Sequence, residues 1–133
     1  MAKKKVICDT DVMIDYWDKS NPRHATTKSI VEDSIEPDNI VLSAITKMEL
    51  MMGANDKADM EKIASKLRRF NVALLNDEIT NRALELIQNY RLSHGLSLPD
   101  SLIAATALVT NLELFTYNVK DYEFISSLKL YPM

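Results

Sequence analysis

The sequence predicts an α/β fold in three layers, α/β/α, with a mostly parallel central sheet of about four to five strands. Short apolar runs of strand length alternate with stretches whose apolar residues recur at helical spacing. The segments between successive runs are long enough for crossover helices, which parallel strands require. Hydrophobic residues make up 47% of the 133 residues, so a core can form, and one compact domain over residues 1–133 is expected.

Residues 5–8 read as a buried strand and residues 12–17 as a helix. Pro22 breaks the chain, and residues 25–34 are again helical. A second strand covers residues 40–42. From Ser43 a helix runs through Met48, Glu49 and Met52 to a natural stop at Gly53. Residues 57–70 carry Met60, Ile63, Ala64, Leu67 and Phe70 at helical spacing. Residues 72–75 form a strand, after which Asn76 caps a helix striped by Ile79, Ala83, Leu86, Ile87 and Tyr90. Pro99 suits the first turn of a helix bearing Leu102, Ile103, Ala105, Ala107 and Leu108. A strand at 114–116, a short helix at 121–127 and a last strand at 129–131 complete the chain.

Composition removes several function classes. No apolar run reaches the ~18 residues of a membrane span, and the basic opening lacks the apolar stretch of a secretion signal. Cys8 is the sole cysteine, which excludes an internal disulfide and suits a reducing cytoplasm; it reads as a small buried hydrophobe. With only Gly53 and Gly95, neither a Walker loop nor a dinucleotide-binding loop can be built. The formal charge of −3 argues against a strongly basic nucleic-acid surface. It leaves open a nuclease whose acids hold cations, since each bound ion reverses the local charge.

Ligands of open parallel sheets collect beyond the carboxyl ends of the strands. Asp9 follows the first strand directly, Asp121 lies shortly after the strand at 114–116 with Asn118 nearer, and Glu49 and Asp100 sit early on helices. Each has an ordinary explanation. Asp9 and Asp11 suit a helix start, Asp100 approximates a capping box with Ser97, and Glu49 can face solvent. Together they point to a cation, because carboxylates brought close must raise a pKa or recruit a positive charge. An oxygen-only set suits Mg²⁺ or Mn²⁺ and not Zn²⁺. His24 and His94 have no partners for nucleophilic catalysis, so metal-activated water is the expected nucleophile. Lys62, Lys66 and Arg69 share a helix face, with Lys57 and Arg68 nearby; a solvated face and phosphate contact both fit. Met48, Met51 and Met52 around Glu49 suit core packing or a docking surface equally.

Four blocks in order carry a family resemblance: VICDTDVMID at 6–15, LSAITKMELMMG at 42–53, LPDSLIAATA at 98–107 and LFTYNVKDY at 114–122. The chain resembles the PIN domain, and within it the VapC-type toxin ribonucleases of type II toxin–antitoxin systems. That resemblance implies a Mg²⁺-dependent endoribonuclease with Asp9, Glu49 and Asp100 as metal-binding acids, assisted near the site by Thr10 or Ser43. It also implies cleavage to a 3′-hydroxyl and a 5′-phosphate, a homodimer and a small antitoxin that blocks the site. This chain departs from the pattern at Asn118, where many relatives carry Asp, and Asp121 is the candidate to take that role. Asp11 stands where relatives often have Asn. Two alternatives remain at this stage. One is a PIN-like module that binds RNA or protein without cutting. The other is an aspartyl-phosphate-forming phosphatase, suggested by Asp9-Thr-Asp11 after a strand but lacking the later Gly-Asp.

Overall fold

The computed structural model describes residues 3–132. Strands β1 (Val6–Cys8), β2 (Ile40–Ser43), β3 (Asn71–Ala73) and β4 (Glu113–Phe115) form one sheet in the order β3-β2-β1-β4, with every pairing parallel. Six α-helices connect them: α1 (Thr10–Trp17), α2 (His24–Ser29), α3 (Ala44–Met52), α4 (Lys57–Leu67), α5 (Asp77–His94) and α6 (Leu98–Thr110). The strands step outward from β1 to β3, and then the chain returns to place β4 on the other side of β1. The order therefore reverses between β1 and β4, and in sheets of this kind ligands collect beyond the carboxyl ends at such a reversal.

Strand periodicity explains the layers. Val6 and Cys8 join Ile40, Leu42 and Phe115 in one core with α1 and α4, while Ile7, Val41 and Leu114 face the opposite core under α5 and α6. A parallel sheet covered on both faces needs such continuously apolar strands. Cys8 is wholly buried among apolar neighbours, and burial pushes its thiol far above the usual range. Caps fall where side chains can supply them. Asn76 accepts from Ile79 N at 2.8 Å, Ser97 from Asp100 N at 3.2 Å, and Gly53 ends α3.

Several expected boundaries move. The first helix begins at Thr10, because Asp9 itself is the N-cap. The second is split: α2 ends at Ser29 and the chain continues as a π-helix, Ile30–Ile35, with Val31 and Ile35 buried. The helix expected at 121–127 does not form. A 3₁₀ turn covers Val119–Asp121, and Tyr122, Ile125 and Leu128 each donate their backbone N–H to the carbonyl three residues earlier. That period of three turns Tyr122 and Ile125 into the core and Leu128 against it. The last strand reduces to a single bridge, Leu114 to Leu130.

Candidate active site

Asp9 stands at the reversal point. Its backbone N–H donates to Phe115 O at 2.9 Å, which locks the end of β1 against the end of β4. Its carboxylate accepts from Thr10 N at 2.8 Å and from Thr116 Oγ1 at 2.8 Å. Thr116 in turn accepts from Asn118 N at 3.0 Å. Only 4% of Asp9 is exposed. Burial pushes its carboxyl up to about 7, and the charges of Asp11 and Asp100 push the same way against the two hydrogen bonds.

Asp100 approaches from the first turn of α6. It is half-buried, and Oδ1 accepts from the Tyr122 hydroxyl at 2.9 Å. Burial raises its carboxyl as well, as do the charges of Asp121 and Glu49. Tyr122 is itself wholly buried, and its hydroxyl lies near both Asp9 and Asp100. Asp11 adds a third acid. Oδ2 accepts from Tyr117 N at 3.0 Å, but Oδ1 is buried with no hydrogen-bond partner.

Glu49 lies on α3 and is exposed, yet it is not free. Thr10 Oγ1 is 2.7 Å from Glu49 Oε1 and 3.1 Å from Thr46 Oγ1. A hydroxyl has one proton, so Thr10 directs it mainly to the carboxylate, the shorter contact, with the Thr46 oxygen as the weaker second acceptor. Ser43 sits in the α3 cap, wholly buried, where its Oγ accepts from Ile45 N at 3.1 Å. Asp121 is exposed but close enough for its charge to act on Asp100. Asn118 is exposed, and only its backbone N–H is tied down. Neither histidine bonds to these acids: His24 Nδ1 is 3.1 Å from Asp15 O, and His94 stacks on Phe124. Just beyond the end of α4, Arg69 pairs with Asp38 at 2.6 Å.

Thr116, Tyr122 and Thr46 are the supporting residues that sequence reasoning missed. Thr116 had a signal, being a polar residue at the end of an apolar strand. Tyr122 had none, since its burial comes from the turn geometry after β4. Among the described residues, no three His, Cys, Asp or Glu side chains already converge to hold an ion. Mg²⁺ does not ask for such a cage, since it typically takes one or two carboxylates, waters and substrate phosphate. The donors are all oxygen, and a buried Asp9 facing Asp11 and Asp100, with an orphaned Asp11 oxygen alongside, is relieved by a hard cation. The residues present fit the ion.

Fold and site together define an α/β protein with acids gathered where its strand order reverses. Residues 6–124 match the PIN domain, and the chain belongs to that family. It is similar to ribonuclease VapC10 of Mycobacterium tuberculosis, with 34% identity over 91 residues, 68% of each chain. It is also similar to a chain of a toxin–antitoxin complex from Klebsiella pneumoniae, with a TM-score of 0.75, 32% identity and coverage of 97% of this chain and 100% of that one. A third likeness is to VapBC-1 from nontypeable Haemophilus influenzae, with a TM-score of 0.72, 25% identity and coverage of 95% and 96%. The sequence resemblance to VapC-type proteins and the expected parallel α/β/α fold are both met.

Proposed function

We propose that this chain is a Mg²⁺- or Mn²⁺-dependent endoribonuclease, the toxin of a toxin–antitoxin pair, acting on RNA in the cytoplasm. The observation that carries this reading is the approach of Asp9 and Asp100 around the Tyr122 hydroxyl at the sheet's reversal point. Its VapC relative is named a ribonuclease, and its structural relatives come from toxin–antitoxin complexes.

Asp9 and Asp100 would hold the ion directly, Glu49 would bind it or orient a water, and Asn118 or Asp121 would complete the fourth position. Bound there, the ion supplies Lewis-acid polarisation of the phosphate and a water acidified enough to attack. The chain's own residues do the positioning. The α1 cap and Thr116 fix both oxygens of Asp9, Tyr122 fixes one oxygen of Asp100, and Thr10 holds Glu49 toward α1. Water adds to phosphorus as the bond to the 3′-oxygen breaks, leaving a 3′-hydroxyl and a 5′-phosphate.

Exposed Met48 and Met52 beside Glu49 give a small antitoxin an adaptable apolar surface close to the site. A homodimer draws support from the exposed leucines Leu84 and Leu92 on α5 and Leu98 on α6. The test is RNA cleavage by the wild-type chain in Mg²⁺, Mn²⁺ and EDTA, beside Asp9→Asn and Asp100→Asn. Metal-dependent cutting by the wild type alone is the expected result. Equal cleavage by all three proteins sinks the metal-site reading, and no cleavage by any of them favours a binding module that does not cut.

A further inference from the structure

The acids at the reversal point address a phosphate; none of them reads a base. A second feature lies at the far end of α1. Tyr16, Trp17, Lys19, Lys28, Glu32 and Lys66 line a cleft of about 230 Å³ between the end of α1, α2 with its π continuation, and α4. Trp17 is the chain's single tryptophan. It packs partly against the core, and the Lys66 ammonium lies over its ring, 5.3 Å from the centroid. Glu32 is the one carboxylate among these residues, and the Tyr16 hydroxyl donates to it at 2.7 Å. Lys19, Lys28 and Lys66 are all exposed, so the cleft is positive on a chain whose formal charge is −3.

A tryptophan serving only the core would be covered by apolar side chains. Here a solvated lysine covers it, and a weak cation–π contact at an exposed site exchanges readily for a stacked base. The freed ammonium then has a phosphate to meet. We propose that this cleft is a stacking shelf for single-stranded RNA: a base packs on Trp17 while Lys19, Lys28 and Lys66 hold the neighbouring phosphates. The choice of RNA as ligand rests on the ribonuclease reading. Single strands are specified because a base inside a duplex has both faces covered by its neighbours. The helical rise puts Trp17 roughly 12 Å along α1 from Asp9, so the stacked base lies a few nucleotides from the bond cut.

Binding without cleavage separates the shelf from the chemistry. The Asp9→Asn chain in EDTA is titrated with a short single-stranded oligoribonucleotide, and the emission of Trp17, the sole tryptophan, reports contact directly. Saturable quenching is expected, with the duplex form of the same sequence binding at least tenfold more weakly. Three phosphate contacts to a single strand predict a log–log salt slope of about −2, and Lys66→Gln should reduce its size by about 0.7. By anisotropy of a labelled strand, Trp17→Phe should hold its affinity, whereas Trp17→Ala should lose about tenfold. Trp17→Phe and Lys66→Gln keep the test decisive should Trp17→Ala fail to fold. Undiminished binding by Trp17→Ala with an unchanged salt slope in Lys66→Gln overturns the proposal. So does equal binding of duplex, or quenching by an acidic peptide and not by RNA. These outcomes leave the cleavage reading standing, because that reading is decided separately by whether Asp9→Asn still cuts RNA in Mg²⁺.

Discussion

Replacing Asp9 by Asn should make the metal-free protein more stable above neutral pH. Burial is the main reason the Asp9 carboxyl rises from 3.8 to about 7, with Asp11 and Asp100 adding to it. Between those two values the folded chain binds more protons at Asp9 than the unfolded chain does. Stability at this site is therefore highest below the unfolded value, falls as pH rises toward about 7, and is flat beyond. At ~1.36 kcal/mol per pKa unit, holding the ionised carboxylate costs the fold about 4 kcal/mol at most. Asparagine removes the charge and can still accept from Thr10 N. Its amide nitrogen, however, meets Thr116 Oγ1, which already accepts from Asn118 N. The Thr116 proton then loses its acceptor, a penalty of about 1 kcal/mol. The expected net gain is about 2–3 kcal/mol by urea denaturation in EDTA near pH 8, shrinking toward zero near pH 4. Excess Mg²⁺ should raise the wild type toward the variant and leave Asp9→Asn almost unchanged. Equal or lower stability of the variant in EDTA near pH 8 would refute the claim that burying an ionised Asp9 weakens the fold.

Other perturbations test neighbouring links. Tyr122→Phe removes the donor to Asp100 Oδ1 with little change in volume, and should cost about 1–2 kcal/mol of unfolding free energy by urea denaturation; no loss would mean the hydroxyl does not hold Asp100. Asn76→Ala removes the cap of the longest helix and should lower stability by ~1 kcal/mol, read by thermal denaturation. Gly95→Ala adds a Cβ that meets no atom within 4 Å, but at φ +71°. Its penalty should be only the left-handed strain of ~1–2 kcal/mol, and a larger loss would mean that the added methyl clashes.

Where side-chain chemistry acts locally, the fold was legible. β1, β2 and β4 are apolar runs with few alternatives, and Asn76, Ser97, Pro99 and Gly53 punctuate the helices by local bonds or fixed dihedrals. The π-helix over Ile30–Ile35 was not legible, because its apolar positions fit an ordinary helix equally well and only packing selects the wider turn. Residues 121–127 mislead for a related reason. Their spacing permits a helix, but burial of Tyr122 and Ile125 imposes a period of three, and Ser127 takes a positive φ of 69°. In the candidate site, Asp9 and Asp100 could be named because a carboxylate after a strand or at a helix start stands out, whereas Glu49, inside α3, was carried by the family resemblance. What holds each of them could not, since Thr116 meets Asp9 across 107 residues and Thr10 meets Glu49 across 39. Asp100 shows that a plain structural role and a functional one coexist: its backbone N–H completes the α6 cap while its carboxylate faces Tyr122.

The bond between Thr116 and Asp9 also bears on when the site is completed as the chain is synthesised. Asp9 leaves the ribosome 107 residues ahead of Thr116, whose hydroxyl steadies it, and Tyr122, which steadies Asp100, is made later still. A growing chain has its acids long before it has their supports, so the chemistry we propose must wait until β4 has threaded beside β1. On that reading, the stretch of synthesis between Asp9 and Thr116 is time in which a partner can arrive before any phosphate is at risk.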